Sequence, residues 1–412
     1  MKPPCGVWRQ STSIFLLRQG GCAVESKSIL CEDAVMAARI SWKQMLVRIV
    51  WLLGLSVVVL FGFGIAAIYS VELGRESDFA LVRRQLFVLL LGLGAGLAAM
   101  RFHYVQWRNY GRVLYLISII LMIAVLLFGT TLRGTTGWFV LFGVSFQPVE
   151  LMKFALAVEL ARYFSEYARR KFGWKELIGS GLLMAVPAFL TALQPDLGSA
   201  MLLVGIWFVV VFFAGLRWIH AAALAASASF MVLIGWLFLF AEYQKERIRV
   251  FFNPELDPLD SGYNVLQAKI AIGSGQWFGR GLGFGSQSQL KFLPESQTDF
   301  IFAVIAEELG FIGVLVLFAA IALFLWRGLR LAQVSRDHFS TFLIIGILAA
   351  FFVQMAVNIA VNLAILPTTG IALPFVSYGG SSLLMSFFML GVLLSVAIRQ
   401  RPADLSPSNM LQ

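Results

Sequence analysis

Past residue 31 the 412-residue chain contains no cysteine; Cys5, Cys22 and Cys31 are all it has, at spacings that match no zinc or redox motif. Neither a disulfide framework nor a thiolate metal centre is expected. Histidine is equally scarce, and His103, His220 and His338 are too scattered to form an imidazole metal site. Charge is sparse too: 13% charged residues stand against 59% hydrophobic ones, with a mean hydropathy of +0.83. That balance excludes a water-soluble globule and fits a polytopic membrane protein. No internal repeat is visible, which weakens the reading as an inverted-repeat transporter.

Apolar runs are what the chain has. A span needs about 20 apolar residues to cross about 30 Å of hydrocarbon. Runs at 46–70, 85–100, 113–128, 149–164, 177–191, 197–213, 219–240, 301–325, 342–366 and 377–398 qualify or come close. The expected fold is all-α: a polytopic membrane domain over residues 46–400, with about ten transmembrane helices and a long outer loop, 241–300, before the eighth. Residues 1–45, whose best apolar run is only Ile14 to Leu17, are too weak for a signal-peptide core. They read as a disordered cytoplasmic tail, as do residues 401–412, and Met36 and Met45 are alternative starts just ahead of the first span.

The net charge of +10 is concentrated in short loops on one side: Arg101, Arg108 and Arg112; Arg169, Arg170, Lys171 and Lys175; Arg217; Arg327, Arg330 and Arg336; Arg399 and Arg401. Basic loops mark the cytoplasmic face, so both termini are expected there. Arg75, Arg83 and Arg84 are the exception, partly balanced by Glu72, Glu76 and Asp78. Charge placed this way serves orientation and argues against nucleic-acid binding.

Carboxylates in or near lipid cost about 2.5 to 3.5 kcal/mol each on insertion scales and normally face a protein interior or a water-filled cavity. Asp299 stands at the mouth of the apolar run 301–325, with Glu307 and Glu308 in the first turns beyond it. Glu150 and Lys153 follow Pro148 at i, i+3 spacing. They read either as a neutralised pair that eases insertion or as a site in which Lys153 meets an anion while Glu150 orients it or holds a cation. Glu159 and Arg162 repeat the spacing and read as a solvated surface pair. Asp196, in Gln194-Pro195-Asp196-Leu197-Gly198, is either a helix N-cap or a site carboxylate. The segment from Arg247 through Asn253 to Asn264 mixes cations with turn residues, as a sugar-phosphate headgroup would suit. The glycines of 273–285 predict tight backbone approaches rather than a flexible linker.

Several of these segments, in order, resemble the SEDS family of membrane glycosyltransferases, the RodA and FtsW proteins. The resemblance rests on Gln147 to Lys153, on Gln194 to Gly198, on Ser261 to Asn264 continuing to Gly275, and on Gln287-Ser288-Gln289-Leu290 through Glu295 to Phe300. It continues in Ala306-Glu307-Glu308-Leu309-Gly310 and in Leu366 to Gly370 with Val376 to Ser382. It covers nearly the whole chain after residue 46, and the 287–290 signature is closer to RodA. One position departs: Gly137 stands before Trp138, where members usually carry an arginine, so that arginine's role is either absent here or supplied by Arg133.

The resemblance implies polymerisation of lipid II into peptidoglycan, with undecaprenyl pyrophosphate as leaving group and inversion at the anomeric carbon. It implies a place in the bacterial cytoplasmic membrane, with the active site on the outer face. Asp299 is then the catalytic carboxylate. Lys153, Glu150, Asp196, Trp138, Arg247, Gln289 and Glu295 are the candidate substrate contacts, and Glu150 and Asp196 are candidate ligands for a divalent cation such as Mg or Mn. The implied partner is a class B penicillin-binding protein, placed against the Gly379-Gly380-Ser381-Ser382 helix start. The competing reading is a lipid II flippase or an ion-coupled transporter.

Overall fold

A computed structural model describes residues 50–74, 79–132, 135–141, 144–167, 172–239, 242–252, 261–290, 292–335 and 337–399. Both tails with their cysteines, Met36 and Met45 lie outside the described residues. So do Arg75, Glu76 and Asp78, Arg133, Arg169 to Lys171, Asn253 to Asp260, Arg336, Arg401 and the Arg247 side chain.

The helices are α1 (Val50–Leu73), α2 (Ala80–Arg101), α3 (Tyr104–Phe128), α4 (Pro148–Tyr167), α5 (Trp174–Leu193), α6 (Leu197–Phe213) and α7 (Trp218–Ile234). They continue with α8 (Glu242–Phe252), α9 (Ser261–Ser274), α10 (Ser286–Gln289), α11 (Ile301–Val334), α12 (His338–Asn362) and α13 (Gly380–Arg399). Among the described residues, eight helices are long and apolar enough to cross a membrane, and α6 is a shorter apolar one. The fold is therefore that of a polytopic helical membrane protein.

α4 is the centre of the bundle, packed against α3, α5, α6 and α12. Every residue from Met152 to Ala161 is buried. That explains why Glu159, expected with Arg162 in a solvated surface pair, is inside while Arg162 is partly exposed. Glu159 is 3% exposed, and its carboxylate accepts two hydrogen bonds from the Arg162 guanidinium, one of them from Nε at 2.9 Å. Such fork geometry is the strong form of the interaction. By contrast α2 and α7 turn most of their apolar surface outward, as lipid-facing helices do. α2 meets α13 closely at Gly391, where an added Cβ would lie 2.1 Å from the Gly96 carbonyl oxygen.

The two ends of the bundle differ. At one, the basic end, Arg399 donates to the Met100 and Arg101 carbonyls at 2.8 and 2.7 Å, satisfying the open C-terminus of α2. There too the Tyr104 hydroxyl reaches Asp337, the N-cap of α12. The opposite end carries the features expected of a site. Part of it is not helical: β1 (Thr130–Leu132), β2 (Thr135–Leu141) and β3 (Val144–Phe146) form an antiparallel sheet in the order β1-β2-β3, with Thr130 opposite Trp138 and Phe139 opposite Phe146. The β-branched and aromatic residues of Thr135 to Val140 favour this state, a small sheet at the end of an otherwise all-α bundle. The expected long outer loop, 241–300, carries three short helices, α8, α9 and α10, among its described residues. α9 buries Val265, Ala268 and Ala271 at helical spacing and packs on α11 and α12.

α11 corrects the reading of a continuous span from 301. Its 34 residues would measure about 51 Å, too long for about 30 Å of hydrocarbon. Gly310, at φ 65° and ψ −165°, breaks it into 301–309 and 311–334, a backbone conformation open in practice only to glycine. The groups freed by the break do not go unpaired. Phe311 and Ile312 donate to the Gln276 and Trp277 carbonyls at 2.8 and 3.1 Å, while Arg280 and Gly281 donate to the Glu307 and Glu308 carbonyls at 3.0 and 2.9 Å. The glycine-rich segment thus docks edge-on into the broken helix. An added Cβ on Gly275 would lie 1.9 Å from the Ala306 oxygen, so the expected tight approach is present.

Candidate active site

Asp299 lies in the turn that leads into α11, half-buried. Glu295, at φ 49°, closes the turn: its carbonyl accepts from the Thr298 and Asp299 amides at 3.0 and 3.2 Å, and its carboxylate accepts from the Thr298 hydroxyl at 3.1 Å. Glu295 therefore shapes the backbone that carries Asp299. The Asp299 carboxylate lies over Gly370, where an added Cβ would sit 3.7 Å from Oδ2. The far side of the turn is tied to the chain before α13. The Tyr378 amide donates to Gln297 O at 2.9 Å, and the Ser377 hydroxyl to Thr298 O at 2.6 Å.

The structure brings Glu150, Lys153 and Asp196 together. Lys153 Nζ is 2.7 Å from Glu150 Oε2 and donates to Gln354 Oε1 at 2.6 Å, and the lysine is 1% exposed. Both charges start one turn inside α4, so the pair is held on a rigid element. Asp196 is the N-cap of α6, accepting from the Ser199 amide at 2.9 Å and hydroxyl at 2.7 Å. It also accepts from Gln147 Nε2 at 3.2 Å, which joins the start of α6 to the start of α4. Burial pushes the Asp196 carboxyl up; the Ser199 bonds and Lys153 pull it down, and Glu150 raises it further. Glu150 and Asp196 thus already have protein partners. Among the described residues no group of three or more His, Cys, Asp or Glu side chains is placed to hold a metal ion.

Three further candidates have local roles. Gln289 donates through Nε2 to the Ser70 carbonyl and hydroxyl at 2.8 and 3.1 Å, anchoring α10 to the end of α1. Trp138 is half-buried on β2, next to Gly137, whose missing Cβ would lie 3.3 Å from Gln194 Oε1 and 3.9 Å from Gln147 Nε2. Glu307 and Glu308 clamp the same region. Glu307 accepts from the Gln287 and Ser288 amides at 2.8 and 3.1 Å, and Glu308 from the Ser70 and Ser288 hydroxyls. The small residues expected to receive a partner helix are engaged from within: the Gly379 amide by Gln85, Ser381 by Ser145 and Gln147, Ser382 by Gln354.

Sequence reasoning missed three carboxamides. Gln354, Asn358 and Asn362 lie on one face of α12, each at most 4% exposed. Asn358 Nδ2 donates to Asp299 O at 3.0 Å and Ile371 O at 2.7 Å, and Asn362 Nδ2 to Asp299 O at 2.8 Å. The available signal was their i, i+4, i+8 spacing in an otherwise apolar helix.

Comparison with known proteins places the chain in a family. The family model FTSW_RODA_SPOVE, described as "Cell cycle protein", matches residues 43–402. A probable peptidoglycan glycosyltransferase FtsW from Trichlorobacter lovleyi is 38% identical over 85% of this chain and 94% of its own length. The peptidoglycan glycosyltransferase MrdB of Escherichia coli is also 38% identical, over 78% of this chain and 86% of its own. Among solved structures, a chain described under "Structural coordination of polymerization and crosslinking by a peptidoglycan synthase complex" superposes with a TM-score of 0.74. It is 32% identical and covers 86% of this chain and 98% of that one. Thermus thermophilus rod shape determining protein RodA superposes at 0.64, with 30% identity and the same coverage.

Proposed function

The chain belongs to the FtsW, RodA and SpoVE family of cell cycle proteins, and we infer that it is a peptidoglycan glycosyltransferase whose reaction is centred on Asp299. The substrate is lipid II. A sugar hydroxyl of one chain attacks the anomeric carbon of another, the bond to undecaprenyl pyrophosphate breaks, and its electron pair leaves with the pyrophosphate. The hydroxyl proton goes to the Asp299 carboxylate. A positioned base of this kind supplies about 10² to 10⁴ in rate. Pyrophosphate needs charge stabilisation more than protonation, so a second catalytic acid like those of glycoside hydrolysis is not required.

Lys153 is the cation for that leaving group. An ammonium has three donors, of which Glu150 and Gln354 take two, and the third serves the pyrophosphate. Asp196 and Glu150 organise this cluster, and Trp138 and Arg247 are the candidate headgroup contacts. The end carrying Asp299 faces outward and the basic end faces the cytoplasm with both termini. One relative is part of a peptidoglycan synthase complex that coordinates polymerization with crosslinking, and a class B penicillin-binding protein is the corresponding partner here.

The observation that carries this reading is the joint placement of Asp299 and the Glu150–Lys153–Asp196 cluster at one end of the bundle. A flippase or ion-coupled transporter would hold its ionisable groups near the midplane, reachable from both sides. The test is to co-reconstitute the protein with its transpeptidase in liposomes with labelled lipid II. Glycan polymer is expected. A folded complex that moves lipid II across the bilayer without making polymer would replace the enzyme reading with the transporter one.

A further inference from the structure

A membrane helix gains nothing by carrying three buried carboxamides on one face. Leucine or valine would insert more easily, and each amide without partners would cost several kcal/mol in hydrocarbon. α12 carries Gln354, Asn358 and Asn362 at i, i+4 and i+8, all buried, and every one of them reaches out of the helix to other parts of the chain. Asn362 Oδ1 accepts from the Ala303 amide at 3.1 Å while its Nδ2 donates to Asp299 O at 2.8 Å. Asn358 Nδ2 sits between two carbonyls, Asp299 O and Ile371 O. Gln354 accepts from Lys153 at 2.6 Å and donates to Ala372 O at 2.9 Å.

We propose that Gln354, Asn358 and Asn362 are positioning residues that fix Asp299 and Lys153 at a set separation along α12, so that base and leaving-group cation address the same substrate. From Gln354 to Asn362 the helix rises about 12 Å, and this length of rigid helix separates the residue that holds Lys153 from those that hold the Asp299 carbonyl. The 371–372 segment is the cross-member. It is bonded to Asn358 above and Gln354 below, and it follows Gly370, which lies under the Asp299 carboxylate. Carboxamides suit this task because they donate and accept without adding charge. An Asp or Lys in their place would shift the proton affinity of the carboxylate that must accept a proton and of the ammonium that must keep one.

The proposal rests on the glycosyltransferase reading for its kinetic arm, so it is tested by two readouts, one of which is independent of activity. The variants are Asn358→Leu, which removes both donors at similar volume, and Asn358→Asp, which keeps the shape but turns donors into acceptors facing two carbonyl oxygens. Each is purified as the full-length complex with its transpeptidase. Polymerisation of lipid II should lose about 10²-fold in kcat, the scale of a misplaced catalytic group, with KM within about threefold of wild type. Asn358→Asp should regain activity as the pH is lowered and its carboxyl takes a proton that it can donate, a dependence that wild type lacks. Hydrogen exchange of the amides over 297–303 should speed by at least about tenfold in both variants, with α2 and α13 unchanged. Gln354→Met, remote from the Asp299 turn, should leave that exchange unchanged and still lower kcat. If Asn358→Leu fails to fold, Asn358→Asp and Gln354→Met carry the test. Folded variants with wild-type exchange and kcat within about threefold would overturn the proposal. Wild type that makes no polymer would overturn the enzyme reading instead, and the exchange data would then decide the positioning role alone.

Discussion

Lys153 and Glu150 form a 2.7 Å ion pair one turn apart on α4, with side-chain exposures of 2% and 9%. Removing one member of such a pair leaves an uncompensated buried charge, typically at a cost of about 3 to 5 kcal/mol, whereas replacing both by apolar groups is often neutral. Lys153→Met and Glu150→Gln should each lower thermal stability clearly. The double variant Lys153→Met/Glu150→Met should recover most of that stability while remaining inactive in polymerisation. A double variant as unstable as the sum of the singles would show that the pair is not a coupled unit.

Gly310 is the second test, of the fold itself. A Cβ there would lie 2.2 Å from the Gly279 nitrogen, at a φ of 65°. Gly310→Ala should cost about 1 to 3 kcal/mol and release the 275–285 segment, seen as faster proteolysis there than in wild type. An unchanged melting temperature would contradict the broken-helix geometry.

Asp196 gives a pH prediction. Its proton affinity is raised in the fold, mainly by burial, so its contribution to stability is fully present below the unfolded value of about 3.9 and declines as pH rises through the folded value. Asp196→Asn keeps an oxygen that can cap α6 and removes that decline, so the difference in stability between pH 4 and neutrality should shrink. Asp196→Ala loses the cap as well and should cost about 0.5 to 2 kcal/mol more than the Asn variant. Identical pH profiles for wild type and Asp196→Asn would exclude the carboxyl as the source.

The stereochemistry of the product is a fourth check. A single displacement assisted by one base inverts the anomeric centre, and the coupling constants of the polymer's new linkage report it directly. Retention would require a covalent glycosyl intermediate and would contradict Asp299 as a base.

Much of this arrangement could be read from residues in isolation. The i, i+3 spacing after Pro148 gave the Glu150–Lys153 pair, and Asp196 before an apolar helix gave its cap, because both contacts are local. What could not be read depends on where a helix sits. Glu159 and Arg162 looked like a surface pair because nothing in α4's own sequence says that it is central. Gly310 could be read only as the end of the 306–310 motif, since the break depends on the partner segment 276–281 arriving from elsewhere in the chain. The α12 carboxamides escaped notice because the search for chemistry in a membrane helix follows charge, and these residues act on the charged groups through backbone carbonyls.

The most direct measurement is lipid II polymerisation by the purified complex with Asp299→Asn, which keeps the shape and the backbone bonds to Asn358 and Asn362 and removes only the base. The account predicts a loss of about 10² to 10⁴ in rate, with folding, partner binding and lipid II binding retained. A folded Asp299→Asn complex that polymerises at the wild-type rate would contradict it.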